Sequence, residues 1–372
     1  MKVARIRARF GPFVALMLVL SWPSLAACAA APGLVARLDQ VHTPADGSAA
    51  KVRFTLANEG SRTWQVTDWL TPFEGLRANI LEVLCDGVEV PYRGSTVKRS
   101  RPNAWDYFAL PPGTARAVVV DLARAYPLPS SGRCTVRWRG RLVDALAAEQ
   151  VPAASRRSLH AVRLRSDAVS FVLGGGTGAR EAPSGVIRAE ATGFVGCNDA
   201  RQRTLNEALP AGRRLATAAR AYLQGVPVDR RPTDARYTAW FGSYAATRYD
   251  RVSGRYGQID AAAGRSLTFD CTESGECAGR PESCDPGDFA FTCAGGAGRT
   301  IWLCDAFWTA PALGEDSQAG TVVHELSHWF GTDDIDYGCE DCQDLATDDP
   351  EAATKNADNC EYFAENFGVV CP

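Results

Sequence analysis

Residues 319–338 read Ala319-Gly320-Thr321-Val322-Val323-His324-Glu325-Leu326-Ser327-His328-Trp329-Phe330-Gly331-Thr332-Asp333-Asp334-Ile335-Asp336-Tyr337-Gly338. His324 and His328 are four residues apart, so a helix places both imidazoles on one face, one turn apart, within reach of a single zinc ion. Glu325 stands beside them as a general base for an attacking water. A hydrolytic zinc site needs three protein ligands and one open position. The chain has four histidines, and the other two, His42 and His160, lie far upstream in a strand-patterned region. The third ligand is therefore expected to be a carboxylate. Asp334 follows His328 by six residues, and Gly331 between them lets the backbone leave the helix and fold back. Asp333 and Asp336 are neighbouring alternatives, and Glu361 or Glu365 on a later helix is another.

The 372 residues suffice for two ordinary domains, each with a sizeable core. A hydrophobic content of 46% is that of a globular protein, and a net charge of -3 gives no general attraction to nucleic acid or anionic lipid. At the amino terminus Lys2, Arg5, Arg7 and Arg9 precede an apolar stretch, Phe13 to Trp22, too short to span a bilayer as a helix. Leu25-Ala26-Ala27-Cys28 resembles the bacterial lipobox. Residues 1–28 are thus expected to be an export signal, with Cys28 lipidated in the cell envelope. An ordinary secretory signal cut after Ala27-Cys28-Ala29 is the alternative. No later segment is long and apolar enough to be a membrane helix. Twelve of the thirteen cysteines remain without Cys28, which suits six disulfides in an oxidising compartment. Cys339-x-x-Cys342 has zinc-finger spacing but no second such pair follows it.

Residues 33–173 read as strands. Val52, Phe54 and Leu56 alternate with Arg53, Thr55 and Ala57. Ile80 to Cys85 run into Asp86-Gly87, a hairpin turn, followed by Val88 and Val90. Val118 to Val120 follow a Pro-Pro-Gly break, and Cys134, Val136 and Trp138 alternate again. Short strands at this spacing predict an all-β Ig-like sandwich, an accessory or pro-domain without chemistry of its own. Cys85 and Cys134 are its only cysteines and are expected to pair. A glycine-rich linker follows at 174–185. Residues 186–372 read as an α+β unit. Helices are predicted over Asp199–Leu223, with a kink or break near Pro210, and over Thr238–Ile259. Strands are predicted over Ser266–Cys271 and Thr300–Cys304, with a glycine- and cysteine-rich loop between them.

Gly331-Thr332-Asp333-Asp334-Ile335-Asp336-Tyr337-Gly338 resembles G-T-x-D-x-x-Y-G, the signature of the aspzincin family of zinc metalloendopeptidases. The resemblance extends from about Gly196 to Asn366. It includes Gly196-Cys197, Trp240-Phe241-Gly242, Thr268-Phe269-Asp270-Cys271, Leu303-Cys304 with Phe307-Trp308, and Asp316-Ser317. It also includes Asn356-Ala357-Asp358 and Glu361-Tyr362-Phe363-Ala364-Glu365-Asn366. Metzincins share the spacing but need a methionine turn, and the only methionines here are Met1 and Met17. Gluzincins take the later glutamate.

The aspzincin resemblance implies a zincin-type peptidase fold with one catalytic zinc held by His324, His328 and Asp334. It implies Glu325 as general base and Tyr337 as the donor to the oxyanion. Asp358 and Glu361 fall where lysine-specific members carry the acids of the pocket for the residue after the scissile bond. A Cys197–Cys271 disulfide is also implied. Cys304 is expected to pair with a cysteine of the 277–293 loop, and a disulfide at Cys360 to stiffen the pocket.

The expected activity is hydrolysis of exported or extracellular protein and peptide substrates by a monomer, with lysine on the carboxyl side of the cut bond. Only four lysines, Lys2, Lys51, Lys98 and Lys355, stand among forty lysine and arginine residues. A GC-rich genome explains this, as does avoidance of self-cleavage. The competing function is a surface-anchored binding protein with an inactive or structural zinc domain, but a structural site has no need of Glu325.

Overall fold

Val52, Phe54 and Leu56 are fully buried, and their neighbours Arg53 and Thr55 face outward, so the period-two pattern does become a half-buried strand. The structure, a computed structural model, describes residues 33–41, 50–147, 159–174, 192–365, 369 and 371. The expected export signal with Cys28, and the linker beyond Gly174, lie outside the described residues. No helix among the described residues is long and apolar enough to cross a membrane.

In chain order the amino-terminal region forms β1 (Leu34–Gln40), β2 (Lys51–Asn58), β3 (Trp64–Thr67), β4 (Leu81–Cys85), β5 (Val88–Glu89), β6 (Ser95–Arg99) and β7 (Tyr107–Leu110). There follow β8 (Ala115–Asp121), β9 (Gly132–Trp138), β10 (Arg141–Leu142), β11 (Ala145–Ala147), β12 (Val162–Arg163) and β13 (Val169–Leu173). All but β6 pair antiparallel among themselves, in sheets ordered β1-β2-β8, β13-β9-β4-β5, β11-β3-β7 and β10-β12. Phe54 and Trp138 meet edge-to-face at 5.0 Å in their common core. The predicted Asp86-Gly87 hairpin joins β4 to β5, and Cys85–Cys134 is formed across β4 and β9.

The second region begins with β14 (Gly193–Val195), α1 (Asp199–Gly225), α2 (Ala235–Phe241), α3 (Ala246–Ala263), β15 (Thr268–Asp270), β16 (Ser274–Cys277) and β17 (Arg280–Ser283). It continues with β18 (Asp288–Cys293), β19 (Thr300–Leu303), α4 (Asp305–Thr309), α5 (Gln318–His328), α6 (Cys339–Asp348), α7 (Pro350–Ala353) and α8 (Ala357–Glu365). Pro210 does not break α1, which runs through it and buries Leu205, Ala208, Ala216, Ala219 and Leu223 on one face. The helix predicted over Thr238–Ile259 is two helices, because Gly242 ends α2 at φ 69°. The predicted loop between β15 and β19 holds a hairpin, β16–β17, and a strand, β18, buried along its whole length.

One sheet carries the site, with strand order β14-β15-β19-β18-β6. β14, β15 and β19 are parallel, while β18 runs antiparallel to β19. The last strand, β6, comes from the amino-terminal region and pairs antiparallel with β18, Val97 opposite Phe291 and Lys98 opposite Ala290. β6 was expected inside the sandwich and instead completes the other region's sheet.

Cys197–Cys271 is formed, and Cys304 pairs with Cys284 in the 277–293 loop. Cys277–Cys293 and Cys339–Cys371 complete the set. Six disulfides were expected, but the described residues contain five. Cys342 and Cys360 are buried free thiols, so no disulfide stiffens the site at Cys360. Each fills core space as a small, weakly polar group, Cys342 against the Asn356 amide and Cys360 against the Arg255 guanidinium.

Candidate metal centre and active site

α5 starts where Ser317 accepts a hydrogen bond from the backbone N–H of Gly320 (2.9 Å), and it buries every residue from Ala319 to His328. His324 and His328 fall on one face with ring centroids 4.8 Å apart. Arg255 of α3 reaches across to the carbonyls of Phe330 and Gly331, satisfying groups the helix end leaves open. Gly331 then turns the chain at φ 83°, a conformation that a side chain would strain. The returning segment is clamped by Asn356, whose side-chain oxygen accepts from the N–H groups of Ile335 (2.9 Å) and Asp336 (3.2 Å).

This bend brings Asp334 to the histidines. Its Oδ1 lies 3.1 Å from His324 Nε2 and 3.4 Å from His328 Nε2. A tetrahedral ion bound at about 2.0–2.1 Å separates its ligand atoms by about 3.3–3.4 Å, so the spacing fits zinc. His328 Nδ1 donates to the Thr332 carbonyl (3.0 Å), which leaves Nε2 free to ligate. His328 Nε2 and both Glu325 carboxylate oxygens are buried without a hydrogen-bond partner, as a missing ion and water would leave them. His324, His328 and Asp334 can hold a metal ion.

The alternatives fall elsewhere. Asp336 pairs with Arg141, and Asp333 accepts from the Asn79 amide (3.2 Å). Glu361 faces His324 Nδ1 (3.3 Å), not Nε2, and Glu365 accepts from the Ser317 hydroxyl (2.6 Å).

Charges at the centre are strongly perturbed. Burial pushes the Glu325 carboxyl up to about 7, against the pull of the two histidines. Burial would also raise Asp334, but His328 and His324 hold it well below the usual carboxylate range. Tyr337 is buried, its ring edge-on to Trp69, and its hydroxyl donates to the Val97 carbonyl (3.0 Å). The second oxygen of Asp334 accepts from the Val97 N–H (2.8 Å).

Asp358 and Glu361, both on α8, are placed differently from each other. Asp358 Oδ1 lies 2.8 Å from His324 Nδ1, and its other oxygen accepts from the Gly338 N–H (2.9 Å). Asp358 is thus first a support for the His324 ring. Glu361 Oε2 lies 2.7 Å from Lys98 Nζ, which is 3.8 Å from Asp358. Asp316 completes this second cluster at 2.8 Å from Lys98 and also accepts from the Tyr362 hydroxyl (2.9 Å). Lys98 has 0% of its surface exposed. Burial works against its charge, but Asp316, Glu361 and Asp358 hold its pKa well above the usual ammonium value.

Sequence reasoning assigned no role to Asp316 or to Lys98. Asp316 sits just before the histidine helix with φ 49°, uncommon for a residue with a side chain. His324, Asp358 and Glu361 also group as possible metal ligands, but the Lys98 ammonium already fills the space between the two carboxylates.

The sequence model described as lysine-specific metallo-endopeptidase, that of the aspzincins, matches residues 229–365. An extracellular protease of Aeromonas hydrophila is 34% identical over 353 residues, covering 92% of this chain and 96% of its own. The chain belongs to the aspzincin family. It is accordingly a zinc metalloendopeptidase. The peptidyl-Lys metalloendopeptidase of Pleurotus ostreatus is 40% identical over 176 residues, 46% of this chain and 96% of its own. That of Grifola frondosa is 34% identical over 293 residues, 75% of each. A solved zinc peptidase from Grifola frondosa has 38% identity and a TM-score of 0.40, covering 46% of this chain and 97% of its own.

Proposed function

We propose that this aspzincin cuts exported or extracellular proteins and peptides on the amino side of lysine. The observation that carries the reading is the pocket of Asp316, Glu361 and Asp358 closed around the Lys98 ammonium. Three carboxylates, Asp358 and Glu361 buried and Asp316 partly so, favour a cation over any neutral side chain, because an empty or apolar occupant leaves them uncompensated. The pocket opens one residue beyond the carbonyl that Tyr337 contacts, so a lysine there follows the bond being cut.

In this reading His324 and His328 through Nε2, with Asp334 through Oδ1, hold zinc. Zinc supplies a Lewis acid that makes a water nucleophilic near neutral pH. Glu325 accepts that water's proton and delivers it to the departing amine, a role suited to a carboxyl with a pKa near 7. The Tyr337 hydroxyl donates to the carbonyl oxygen as charge develops on it. Residues 186–372 form the peptidase domain and residues 33–173 an Ig-like accessory or pro-domain. Residues 1–28 direct export, with Cys28 as a lipid anchor. A gluzincin arrangement is not favoured, since neither Glu361 nor Glu365 reaches the Nε2 side of the histidines.

The test is a cut-site profile of a denatured protein substrate by mass spectrometry. Cuts should fall before lysine, disappear with a zinc chelator, and slow about 10²–10⁴-fold in Glu325→Ala. Cuts without regard to lysine would remove the pocket assignment, and full activity of Glu325→Ala would remove the mechanism.

A further inference from the structure

β6 does more than complete the sheet. It adds to the free edge of β18 as an extended peptide adds to a sheet, with main-chain pairing from Ser95 to Arg99. Lys98 fills the acidic pocket, and the Val97 carbonyl sits on Tyr337 (3.0 Å). The Val97 N–H is fixed by Asp334 (2.8 Å), and the free oxygens of Glu325 lie in the same buried centre. A buried lysine inside three carboxylates of another region serves no packing need of the amino-terminal strands. The pocket, carbonyl and N–H contacts that would hold a substrate are thus made by the chain itself.

We propose that Ser95–Arg99 is a tethered substrate and that Val97–Lys98 is the bond which the zinc-loaded chain cuts first, in itself. This rests on the lysine reading of the pocket. In the reaction, water adds its oxygen to the Val97 carbonyl carbon and the carbon–nitrogen bond to Lys98 breaks. A proton of that water passes through Glu325 to the Lys98 nitrogen. The products are a Val97 carboxyl group and a Lys98 α-amine. Cys85 and Cys134 lie on opposite sides of the cut and are bonded to each other, so the two pieces stay joined. Until Lys98 leaves the pocket, other lysine peptides are kept out.

The full mature chain is loaded with zinc and followed on reducing and non-reducing gels. It should yield two pieces that separate only after reduction, with Lys98 as the new amino terminus, at a rate independent of protein concentration. Glu325→Ala should stay whole. Occupancy has a separate readout without metal. In the metal-free chain, a water-soluble acylating ester should modify Lys51 and Lys355 at least about tenfold faster than Lys98, which is reached only by local opening. Lys98→Met, which empties the pocket of charge, should not be cut at this bond and should accept an added lysine peptide sooner.

If the wild-type chain stays whole while it or Lys98→Met cuts an added peptide before lysine, the proposal is overturned and the lysine reading stands. If neither cuts any lysine peptide, the lysine reading falls as well. Acylation of Lys98 as fast as Lys355 overturns the tethered-substrate arrangement.

Discussion

At the residue scale, two carboxylates that looked equivalent have separate tasks. Asp358 touches His324 at 2.8 Å and Lys98 at 3.8 Å, whereas Glu361 touches Lys98 at 2.7 Å. A carboxylate behind a ligating imidazole fixes its orientation and raises its basicity. Asp358→Asn should therefore weaken zinc binding about 10- to 100-fold, measured by competition with a chelator. Glu361→Gln should leave zinc affinity close to wild type and lower kcat/KM for lysine peptides about 10- to 100-fold, the size of a lost charge-assisted hydrogen bond. Equal effects of both variants on zinc would erase the distinction. His324, Glu325, His328 and Asp334 were legible because their chemistry fixes their spacing along the chain. The division between Asp358 and Glu361 was not, since it depends on how the fold sets each carboxylate's distance to His324 Nδ1 and to the Lys98 ammonium. Asp316 is drawn into the pocket by a left-handed turn with no compositional mark.

At the scale of elements, Gly320 shows how α5 and α8 share the site. Glycine inside a helix costs about 0.5–1 kcal/mol relative to alanine, so Gly320→Ala should stabilise α5 taken alone. In the folded chain a Cβ at Gly320 would lie 2.0 Å from Glu365 Oε1 and 2.6 Å from Glu361 Oε1. Glu365 Oε1 is committed to the hydroxyl and N–H of Ser317, and the Glu361 carboxylate is held through its other oxygen by Lys98. Gly320→Ala is expected to destabilise the chain by about 1–3 kcal/mol through overpacking. It should also raise KM for lysine peptides more than it changes kcat. Thermal melts and steady-state kinetics check both, and a stabilised variant with unchanged KM would show that α8 yields. Long periodic elements such as β2, β9 and α1 were readable because one face of each is buried. β18 was not, because burial along its whole length removes alternation and its neighbours are glycine and cysteine. The break at Gly242 was hidden by apolar residues that keep helical spacing across it.

At the scale of the whole molecule, two regions of different composition are locked by charges across their boundary. Arg77 pairs with Asp288 (3.1 Å), Lys98 with three acids, and Asp341 accepts from the Leu159 N–H (3.0 Å). None of this was legible in the sequence, since partners up to 263 residues apart carry no local signal.

The same crowding of acids makes stability depend on pH. Burial, then the charge of Glu361, pushes the Glu365 carboxyl up to about 9, with Lys98 and the Ser317 donors opposing. The folded chain thus holds a proton that the unfolded chain has lost between the ordinary value of 4.5 and about 9. That contribution is fully present below about 4.5 and is lost as pH rises through the folded-state value. Glu365→Gln stays neutral throughout and keeps its oxygen as acceptor for Ser317. In a Glu325→Ala background, which prevents self-digestion, it should match its parent at pH 5. At pH 9 it should be more stable by more than about 1 kcal/mol. Denaturant titrations at the two pH values measure the difference. A gap that does not widen with pH would mean that Glu365 is ionised in the folded chain, with Lys98 compensating more of the acidic cluster than its distances imply.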